Sequence, residues 1–554
     1  MAQVKILSFA EFVRRRRRKR IRAMMHGYRI LQSNNRLGWI RRAKRELADT
    51  QLGSITSIVS PYLFGAGTES AAQIVQQYVL TRIGGIGLNK ALLFSIGSKK
   101  SPVIFPLPKE FQSTLAHNGF VVSRWRCSAL WMAYVGALWC YGVLSIAKHV
   151  YDALCGMVRK TAPPKGPFAY FVGLAKNNLP QPYKDGRSHD ILTWYAHWPG
   201  AAISLAALCH GVRGAKATLV NGKRVECVEH AIPPLPNLAG LMQFMQWAAI
   251  AVFRSAMDAC RGRWWNAALL SEAAKAAVVR FANPDQLACE YLFHFSDTIY
   301  RPIWTYEAIK KGSRVTCYFY STSEEFKLPG GYEPNSSYWK LMNWPRCLVW
   351  DQYQEKLLRL NAGELVDVSI VGPIWFNTSS IELPDIPYNA VAVFDIQPIR
   401  SSAHFGFSTL ADLDYGNPKV PMNFIQDIHA AVSLHGGTVV HKRKRNDGRR
   451  FRKVYRRMID QLSGGPGFVS IEPDTSAIRV IEQCRAVVSM PFTSTAILGR
   501  DLGKPSVYYD PTGRLQKDDK GAHGIPILRG KDELRDWVSA VMGTVGDKSL
   551  VQSV

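Results

Sequence analysis

Three consecutive hydroxyl side chains, Thr493, Ser494 and Thr495, lie in the segment Met490–Ala496, directly after a short apolar run. The apolar run predicts a strand, and the residues after it predict the start of a helix. At such a junction, hydroxyl groups and unpaired backbone N–H groups can bind a phosphate with help from the positive end of the helix dipole. An ordinary helix cap, the alternative, needs only one of the three. We therefore expect all three to bind a phosphate group.

A second group of possible phosphate ligands follows the predicted strand Thr438–Val440. His441, Lys442 and Lys444 come next in the chain, and positive side chains at a strand end can neutralise phosphate charge. A charge run is also typical of a solvated surface. We interpret the more distant basic residues of 449–457 as surface residues.

Catalysis near such a phosphate needs an acid–base group or a group that stabilises developing charge. Glu307 lies just inside a helix predicted to open after Pro302, and Asp395 ends the predicted strand Val391–Ile396. A surface glutamate is the alternative for Glu307. Weaker acceptor-side candidates are Asp190, Tyr320 and Ser321. The sequence has no GxxxxGK[ST], HExxH, GxSxG or DxD motif, so we expect neither a metal nor a resident cofactor.

Apolar runs and helical patterns alternate through the last part of the chain, 386–540. The predicted strands are Val391–Ile396, Thr438–Val440, Phe468–Ile471, Ala486–Met490 and Ser506–Tyr509, and the predicted helices are Asn423–Leu434, Tyr455–Leu462, Ser476–Ile481 and Ser494–Leu498. This alternation predicts a parallel, doubly wound sheet. Its ligands should bind beyond the carboxyl ends of the strands, where both polar groups fall.

The middle of the chain, 165–385, predicts a second α/β domain. Its predicted strands include Phe168–Leu174, Asp190–Tyr195, Tyr291–Phe295 and Arg314–Tyr320. Asn221-Gly222 between two short apolar runs is typical of a hairpin. The proline-containing stretch 373–389 is the expected linker.

Charge and composition narrow the function classes. The 554 residues include 24 Phe, 22 Tyr and 15 Trp, too many for a disordered chain. The net charge of +28 is concentrated, with +12 in residues 1–50 and +9 in 441–457. Residues 1–60 form a basic arm with eight Lys or Arg in the nine positions 14–22. A solvated helix, an anionic membrane surface or a nucleic acid would each suit that arm.

Residues 61–164 are expected to be helical and membrane-proximal. Cys127–Ala147 is 21 residues long without a formal charge, which suits an interfacial, re-entrant or spanning helix as well as a core helix. A second uncharged run, Ala231–Phe253, predicts a buried or interfacial helix. Residues 541–554 are the expected tail.

The ten cysteines show no CxxC spacing, so neither a zinc site nor a disulfide framework is predicted. The first 30 residues contain no apolar segment of the kind that secretory leaders carry. We therefore expect a cytoplasmic protein.

The segment AVVSMPFTSTAILGRDLGKPSVYYDP, residues 486–511, resembles the signature of the polysaccharide biosynthesis proteins named for their Pro-Phe-Thr-Ser motif. The strand ending in VVHKRKR and the segment RPIWTYEAIKKGSRVTCYFYST, residues 301–322, fit the same pattern. The resemblance implies a GT-B-like fold, with two Rossmann-like domains around a cleft. It also points to glycosyltransferases that use CMP-activated sugars such as Kdo or sialic acids.

In those enzymes, a basic strand end and a Ser/Thr pair both hold the CMP phosphate. By position, His441 and Lys442 would take the first role, and Ser494 and Thr495 the second. Many GT-B enzymes place a glutamate after the hydroxyl pair to hold the ribose, whereas Ala496 follows here. Glu472, at the end of the preceding predicted strand, is the substitute that the resemblance suggests.

The resulting hypothesis is a metal-independent glycosyltransferase of bacterial surface polysaccharide synthesis at the cytoplasmic face of the inner membrane. Its partners would be a nucleotide sugar, a lipid-linked or glycan acceptor and the anionic leaflet, with no nucleic acid. A nucleic-acid-binding protein that uses the two basic patches, and a catalytically silent scaffold, are the alternatives.

Overall fold

The computed structural model describes residues 9–34, 36, 38–52, 68–98, 101–159, 164, 166–180, 190–201, 205–295, 300–319, 327–328, 331–332, 341–362, 366–374, 382–396, 398, 418–444 and 452–543. Tyr320 and Ser321 lie outside the described residues.

The helices of the described residues fall into an N-terminal helical region and two α/β domains. They are α1 (Phe9–Ser33), α2 (Gly38–Asp49), α3 (Thr68–Ile83), α4 (Ile86–Gly97), α5 (Lys109–His117), α6 (Arg124–Arg159), α7 (Ile191–His197), α8 (Leu238–Cys260), α9 (Trp264–Ala268), α10 (Leu270–Phe281), α11 (Trp304–Lys310), α12 (Gln352–Ala362), α13 (Lys419–Ser433), α14 (Lys453–Ser463), α15 (Ala477–Gln483), α16 (Ser494–Asp501) and α17 (Gly530–Gly543).

The strands follow the predicted alternation closely. They are β1 (Phe168–Val172), β2 (Ala207–His210), β3 (Thr218–Val220), β4 (Lys223–Cys227), β5 (Glu290–Phe295), β6 (Arg314–Phe319), β7 (Lys327–Leu328), β8 (Gly331–Tyr332), β9 (Arg346–Val349), β10 (Asp367–Ile370), β11 (Ala390–Phe394), β12 (Thr438–Lys442), β13 (Phe468–Ile471), β14 (Ala486–Ser489), β15 (Ser506–Asp510) and β16 (Ile527–Arg529).

The C-terminal sheet has the order β13-β12-β11-β14-β15-β16, and its paired strands are parallel. The central strands β11 and β14 are buried along their whole length, because helices cover both faces of such a sheet. The order reverses between β11 and β14, which is the mark of a doubly wound sheet.

The N-terminal sheet has the order β10-β9-β6-β5-β1-β2-β4-β3 and reverses direction between β5 and β1. All its neighbouring strands are parallel except β3 and β4. These two form the predicted hairpin, with Asn221 at φ 47° and Gly222 at φ 71°. Together the two sheets confirm the GT-B-like fold class, with two Rossmann-like domains and a helical N-terminal region.

The predicted strand Asp190–Tyr195 is wrong, because this segment is the start of helix α7. The carboxylate of Asp190 accepts hydrogen bonds from the backbone N–H groups of Leu192 and Thr193, each at 2.9 Å. Asp190 is therefore the N-cap of α7, and an apolar run of this length suits a buried helix as well as a strand.

The N-terminal helices pack together and against one face of the first sheet. Tyr28 and Leu31 of α1 belong to the same buried cluster as Leu92 of α4 and Phe293 of β5. A side chain on Gly97 would collide with the carbonyl oxygen of Ala23, so the backbones of α1 and α4 are in direct contact. The part of α1 that follows the basic stretch 14–22 therefore packs into the core.

The two α/β domains meet at the carboxyl ends of their strands. Trp350, which follows β9, lies in one buried cluster with Phe492 and Tyr508 of the second domain. His523 Nδ1 lies 2.7 Å from the Asp351 carboxylate across this junction. Burial alone would raise the pKa of Asp351, but the hydrogen bond and charge of His523 hold it below its ordinary value.

Candidate active site

The crevice most suited to a ligand in the second domain lies between the ends of β11 and β14. The strand order reverses there, and the connections from these two strands leave on opposite faces of the sheet. Phe394 pairs with Ser489 in the register of these strands. Asp395 follows β11, and the Pro-Phe-Thr-Ser turn follows β14, so both line the same sheet edge.

The Pro-Phe-Thr-Ser turn has a strained and fixed backbone. Phe492 adopts φ 61°, a conformation that costs a non-glycine residue roughly 1–3 kcal/mol. Two hydrogen bonds hold the turn: the Thr493 hydroxyl donates to the Met490 carbonyl at 2.7 Å, and the Tyr508 hydroxyl donates to the Thr493 carbonyl at 2.9 Å. Phe492 is buried against Tyr508. The surroundings therefore stabilise a turn that the local sequence alone would not favour.

This turn leaves the N-terminus of α16 without a side-chain cap. Thr493 is the N-cap residue but makes no capping hydrogen bond, since its hydroxyl bonds to Met490. The Thr495 hydroxyl is also engaged, 2.9 Å from the buried Ser489 hydroxyl. Within the described part of the chain, the hydroxyl of the half-buried Ser494 has no hydrogen-bond partner. The Ser494 hydroxyl and the first N–H groups of α16 can therefore donate hydrogen bonds to an anion.

The basic residues after β12 take different positions. Lys442 Nζ donates to the carbonyl of Pro473 at 2.9 Å, and burial lowers its pKa, partly offset by the charge of Asp474. Arg443 forms an ion pair with Glu472, whose side chain is 63% exposed. Lys444 is exposed. The ends of β12 and β14 lie on either side of β11, about 10 Å apart. These residues therefore border the crevice on the side opposite α16.

Asp395 and His441 lie together at the ends of the neighbouring strands β11 and β12, in the interior of the domain. His441 Nε2 lies 3.2 Å from Asp395 Oδ1, and the Tyr455 hydroxyl donates to Asp395 Oδ2. Burial, with the adjacent Asp395 charge, raises the pKa of Tyr455. Both side chains of the Asp395–His441 pair are 0% exposed. This buried trio lies at the carboxyl ends of β11 and β12, and a catalytic role for Asp395 or phosphate contact by His441 stays a prediction.

Glu307 lies in α11, where its carboxylate is 3.2 Å from Arg280 Nη2 and 3.9 Å from Lys310 Nζ. Arg280 belongs to the last turn of α10. Nearby, Lys311 donates to the carbonyl of Ala282 at 2.7 Å. These contacts hold α11 against the end of α10, which leads back to the start of β5. A catalytic role for Glu307 stays a prediction.

The N-terminal domain presents polar groups at its own sheet edge that the sequence analysis missed. His210 is the last residue of β2 and His294 the second-last of β5, and burial lowers the pKa of His294 to about 4. Arg301 follows β5, is 6% exposed, and donates to Thr305 and to the Asn343 carbonyl at 3.0 Å. For His294, its position near the end of the predicted strand Tyr291–Phe295 is the signal that could have indicated it.

The described residues contain no group of three or more His, Cys, Asp or Glu side chains that could hold a metal ion. One helix of the described chain, Arg124–Val158, is long and apolar enough to cross a membrane by length and composition. The consecutive helices Ala71–Ile83 and Ile86–Gly97 are long and apolar enough only when taken together, and the angle between them is 61°.

Comparison with protein families gives one match that covers more than half of the chain. The model of the family described as "polysaccharide biosynthesis PFTS motif protein" matches residues 243–538. The match includes β5 through most of α17, and therefore both the crevice and the junction of the two domains. No curated protein matches the chain.

Solved structures resemble the chain at low identity. Os79 from O. sativa in complex with UDP is 10% identical, has a TM-score of 0.35, and the match covers 68% of this chain and 91% of that one. A glycosyltransferase from Rickettsia africae is 11% identical with a TM-score of 0.35, covering 69% and 89%. The UDP-GlcNAc 2-epimerase of Methanocaldococcus jannaschii is 9% identical with a TM-score of 0.31, covering 49% and 75%.

Proposed function

The chain belongs to the PFTS-motif family of polysaccharide biosynthesis proteins, and on that basis we propose that it is a glycosyltransferase. It would transfer a sugar from a nucleotide donor to a glycan or lipid-linked acceptor. The donor would bind in the crevice between β11 and β14, and the acceptor would approach from the N-terminal domain.

The uncapped N-terminus of α16 carries this proposal. This helix start lies in the family motif, at the point where the strand order of the sheet reverses. The strained Phe492 and two internal hydrogen bonds fix the turn before it, so that its N–H groups stay without a side-chain cap. The ligand chemistry that such a site fits is a phosphate, which would accept hydrogen bonds from the Ser494 hydroxyl and the first N–H groups of α16.

We further propose that the donor is CMP-linked. The support is the resemblance of the motif to CMP-sugar transferases, in which a Ser/Thr pair and a basic strand end hold the phosphate. Ser494 and Thr495 would take the first role here and the basic end of β12 the second. Because Thr495 bonds to Ser489, we assign direct phosphate contact to Ser494 and a supporting role to Thr495 and Thr493. Glu472 and Lys444 are at the exposed rim, where a ribose or second phosphate oxygen could reach them.

The reaction would break the bond between the anomeric carbon and the phosphate oxygen and form a bond from that carbon to the acceptor oxygen, with release of the acceptor's proton. Negative charge grows on the leaving phosphate. The helix dipole of α16 and its N–H groups would stabilise that charge, and on this basis we propose a reaction without a metal ion.

We place the protein at the cytoplasmic face of the bacterial inner membrane, where lipid-linked acceptors lie. The support is the basic stretch of α1, residues 14–22. Each Lys or Arg close to an anionic leaflet contributes roughly 1 kcal/mol of binding.

Thermal stability with CMP, CDP, UDP, GDP, dTDP and ADP, each titrated at constant salt, tests the donor. A ligand present at 100 times its dissociation constant should stabilise the fold by about 2.7 kcal/mol. Selective stabilisation by CMP supports the CMP-sugar proposal, and selectivity for another nucleotide changes the donor but keeps the site. The absence of stabilisation by all six, at concentrations that saturate weak sites, contradicts the proposed function.

A further inference from the structure

Large apolar side chains that face solvent are concentrated on two helices, α6 and α8. On α6, Leu144 is 68% exposed, and on α8, Phe253 is 65% exposed. Their exposed apolar neighbours are Trp125, Leu130, Met132, Tyr141, Tyr151, Leu154 and Val158 on α6, and Leu238, Met242, Met245 and Ile250 on α8. Soluble proteins rarely leave such a continuous apolar patch in water unless it binds something.

The two helices lie side by side and antiparallel. Trp139 Nε1 donates to Ser255 Oγ at 3.1 Å. Further toward the C-terminus of α6 and the N-terminus of α8, the rings of His149 and Phe244 are 6.3 Å apart. Both helices bury their other faces in the same protein core, where a side chain on Gly142 would collide with Leu270 of α10. Their exposed apolar residues therefore form a single surface, the α6–α8 face.

The α6–α8 face is uncharged over its centre and basic at its margins. Residues 127–147 of α6 and 238–253 of α8 contain no charged side chain. Arg124 and Arg126 lie at one end of the α6 stretch, and Arg254 follows the α8 stretch directly. Lys148, at the other end of the α6 stretch, is 58% exposed and forms an ion pair with Asp152. The uncharged part of α6 is about 30 Å long. An apolar strip with a cationic rim matches the acyl chains and anionic headgroups of a bilayer surface.

We propose that the α6–α8 face docks the protein onto an anionic bilayer, with both helices lying in the membrane plane. The alternative, in which α6 crosses the bilayer, would require lipid around the whole helix. Trp131, Val135 and Ile146, however, are buried against the protein along most of that length. The α6–α8 face points away from the N-terminal sheet. The proposed docking does not depend on the transferase activity.

Flotation of the full-length protein with vesicles of phosphatidylcholine, with or without phosphatidylglycerol, tests the docking. The double variant Leu144→Glu, Phe253→Glu should bind the anionic vesicles at least about tenfold more weakly than the unmodified chain, because each carboxylate would have to enter the acyl region. Leu434→Glu is the matched control, since Leu434 is 73% exposed on the C-terminal domain. Its binding should be unchanged. The pair Leu144→Ser, Phe253→Ser repeats the test with a milder change if the glutamates prevent folding.

Equal binding by the double variant and the control overturns the proposal. So does a result in which the unmodified chain ignores vesicles but forms a dimer that the double variant cannot form, because the α6–α8 face is then a contact between two copies. Extraction of cell membranes with alkaline carbonate distinguishes the orientation. An in-plane helix pair is released, and retention in the pellet contradicts the in-plane arrangement.

Discussion

The hydroxyl of Ser494 is the group whose removal tests the site most cleanly. Ser494→Ala deletes one oxygen at the start of α16 and leaves the backbone N–H groups in place. Because that hydroxyl makes no hydrogen bond with any residue that the structure describes, we expect unfolding free energy to change by less than about 0.5 kcal/mol. The other two hydroxyls of the motif bond within the protein, so Ser494 alone separates binding from stability.

The expected loss in nucleotide affinity follows from the charge of the phosphate. A hydrogen bond to a charged group contributes about 1.5–3 kcal/mol, and each 1.4 kcal/mol corresponds to about a tenfold change in affinity. Ser494→Ala should therefore raise the Kd for the preferred nucleotide roughly 10- to 150-fold, as measured by isothermal titration calorimetry.

Ser476→Ala is the matched control for Ser494→Ala. Ser476 is the N-cap of α15, and its hydroxyl accepts a hydrogen bond from the backbone N–H of Arg479 at 3.5 Å. Ser476→Ala should therefore lower stability without changing nucleotide affinity. Unchanged affinity in Ser494→Ala, or an equal loss in both variants, would refute the assignment of the phosphate to the start of α16.

Other changes probe the scaffold. Thr495→Val removes the hydrogen bond to the buried Ser489 and should cost roughly 1–3 kcal/mol of unfolding free energy. Its loss of nucleotide affinity should be smaller than that of Ser494→Ala. Denaturant titration and calorimetry measure the two quantities, and a larger affinity loss in Thr495→Val than in Ser494→Ala would contradict this assignment. Burial lowers the pKa of His294 from 6.5 to about 4, so its contribution to stability is complete above pH 6.5 and falls as pH drops toward 4, by up to about 3 kcal/mol. His294→Gln should flatten that part of the pH–stability profile, and an unchanged profile would exclude His294 as its source. Gly97→Ala places a methyl group against the Ala23 carbonyl and should expose α1 to trypsin and lower Tm; equal protease resistance would show that the α1–α4 contact is looser than described.

The C-terminal domain could be predicted from sequence because its strands are buried on both faces. Such strands appear as continuous apolar runs between helical patterns, and Phe468–Ile471 has the same bounds in both. Asp190–Tyr195 has the same short apolar character, and only the capping hydrogen bonds of Asp190 show that it begins a helix.

The details of the site depend on contacts between residues distant in sequence. No local pattern indicates that Asp395 and His441, 46 positions apart, form a hydrogen bond in the interior. No local pattern indicates which of the three motif hydroxyls is left to bind a ligand either. The positions of Ser489 and of the Met490 carbonyl decide it, because these two groups bond to Thr495 and Thr493. The packing of α1 depends on glycine contacts between helices that are more than 60 residues apart.

A crystal structure of the protein with CMP bound tests the central claim most directly. We predict that the phosphate lies in the crevice between β11 and β14, with oxygens about 3 Å from Ser494 Oγ and from N–H groups of the first turn of α16. A nucleotide bound elsewhere, for example on the basic segment 441–457 without contact to α16, would contradict the account.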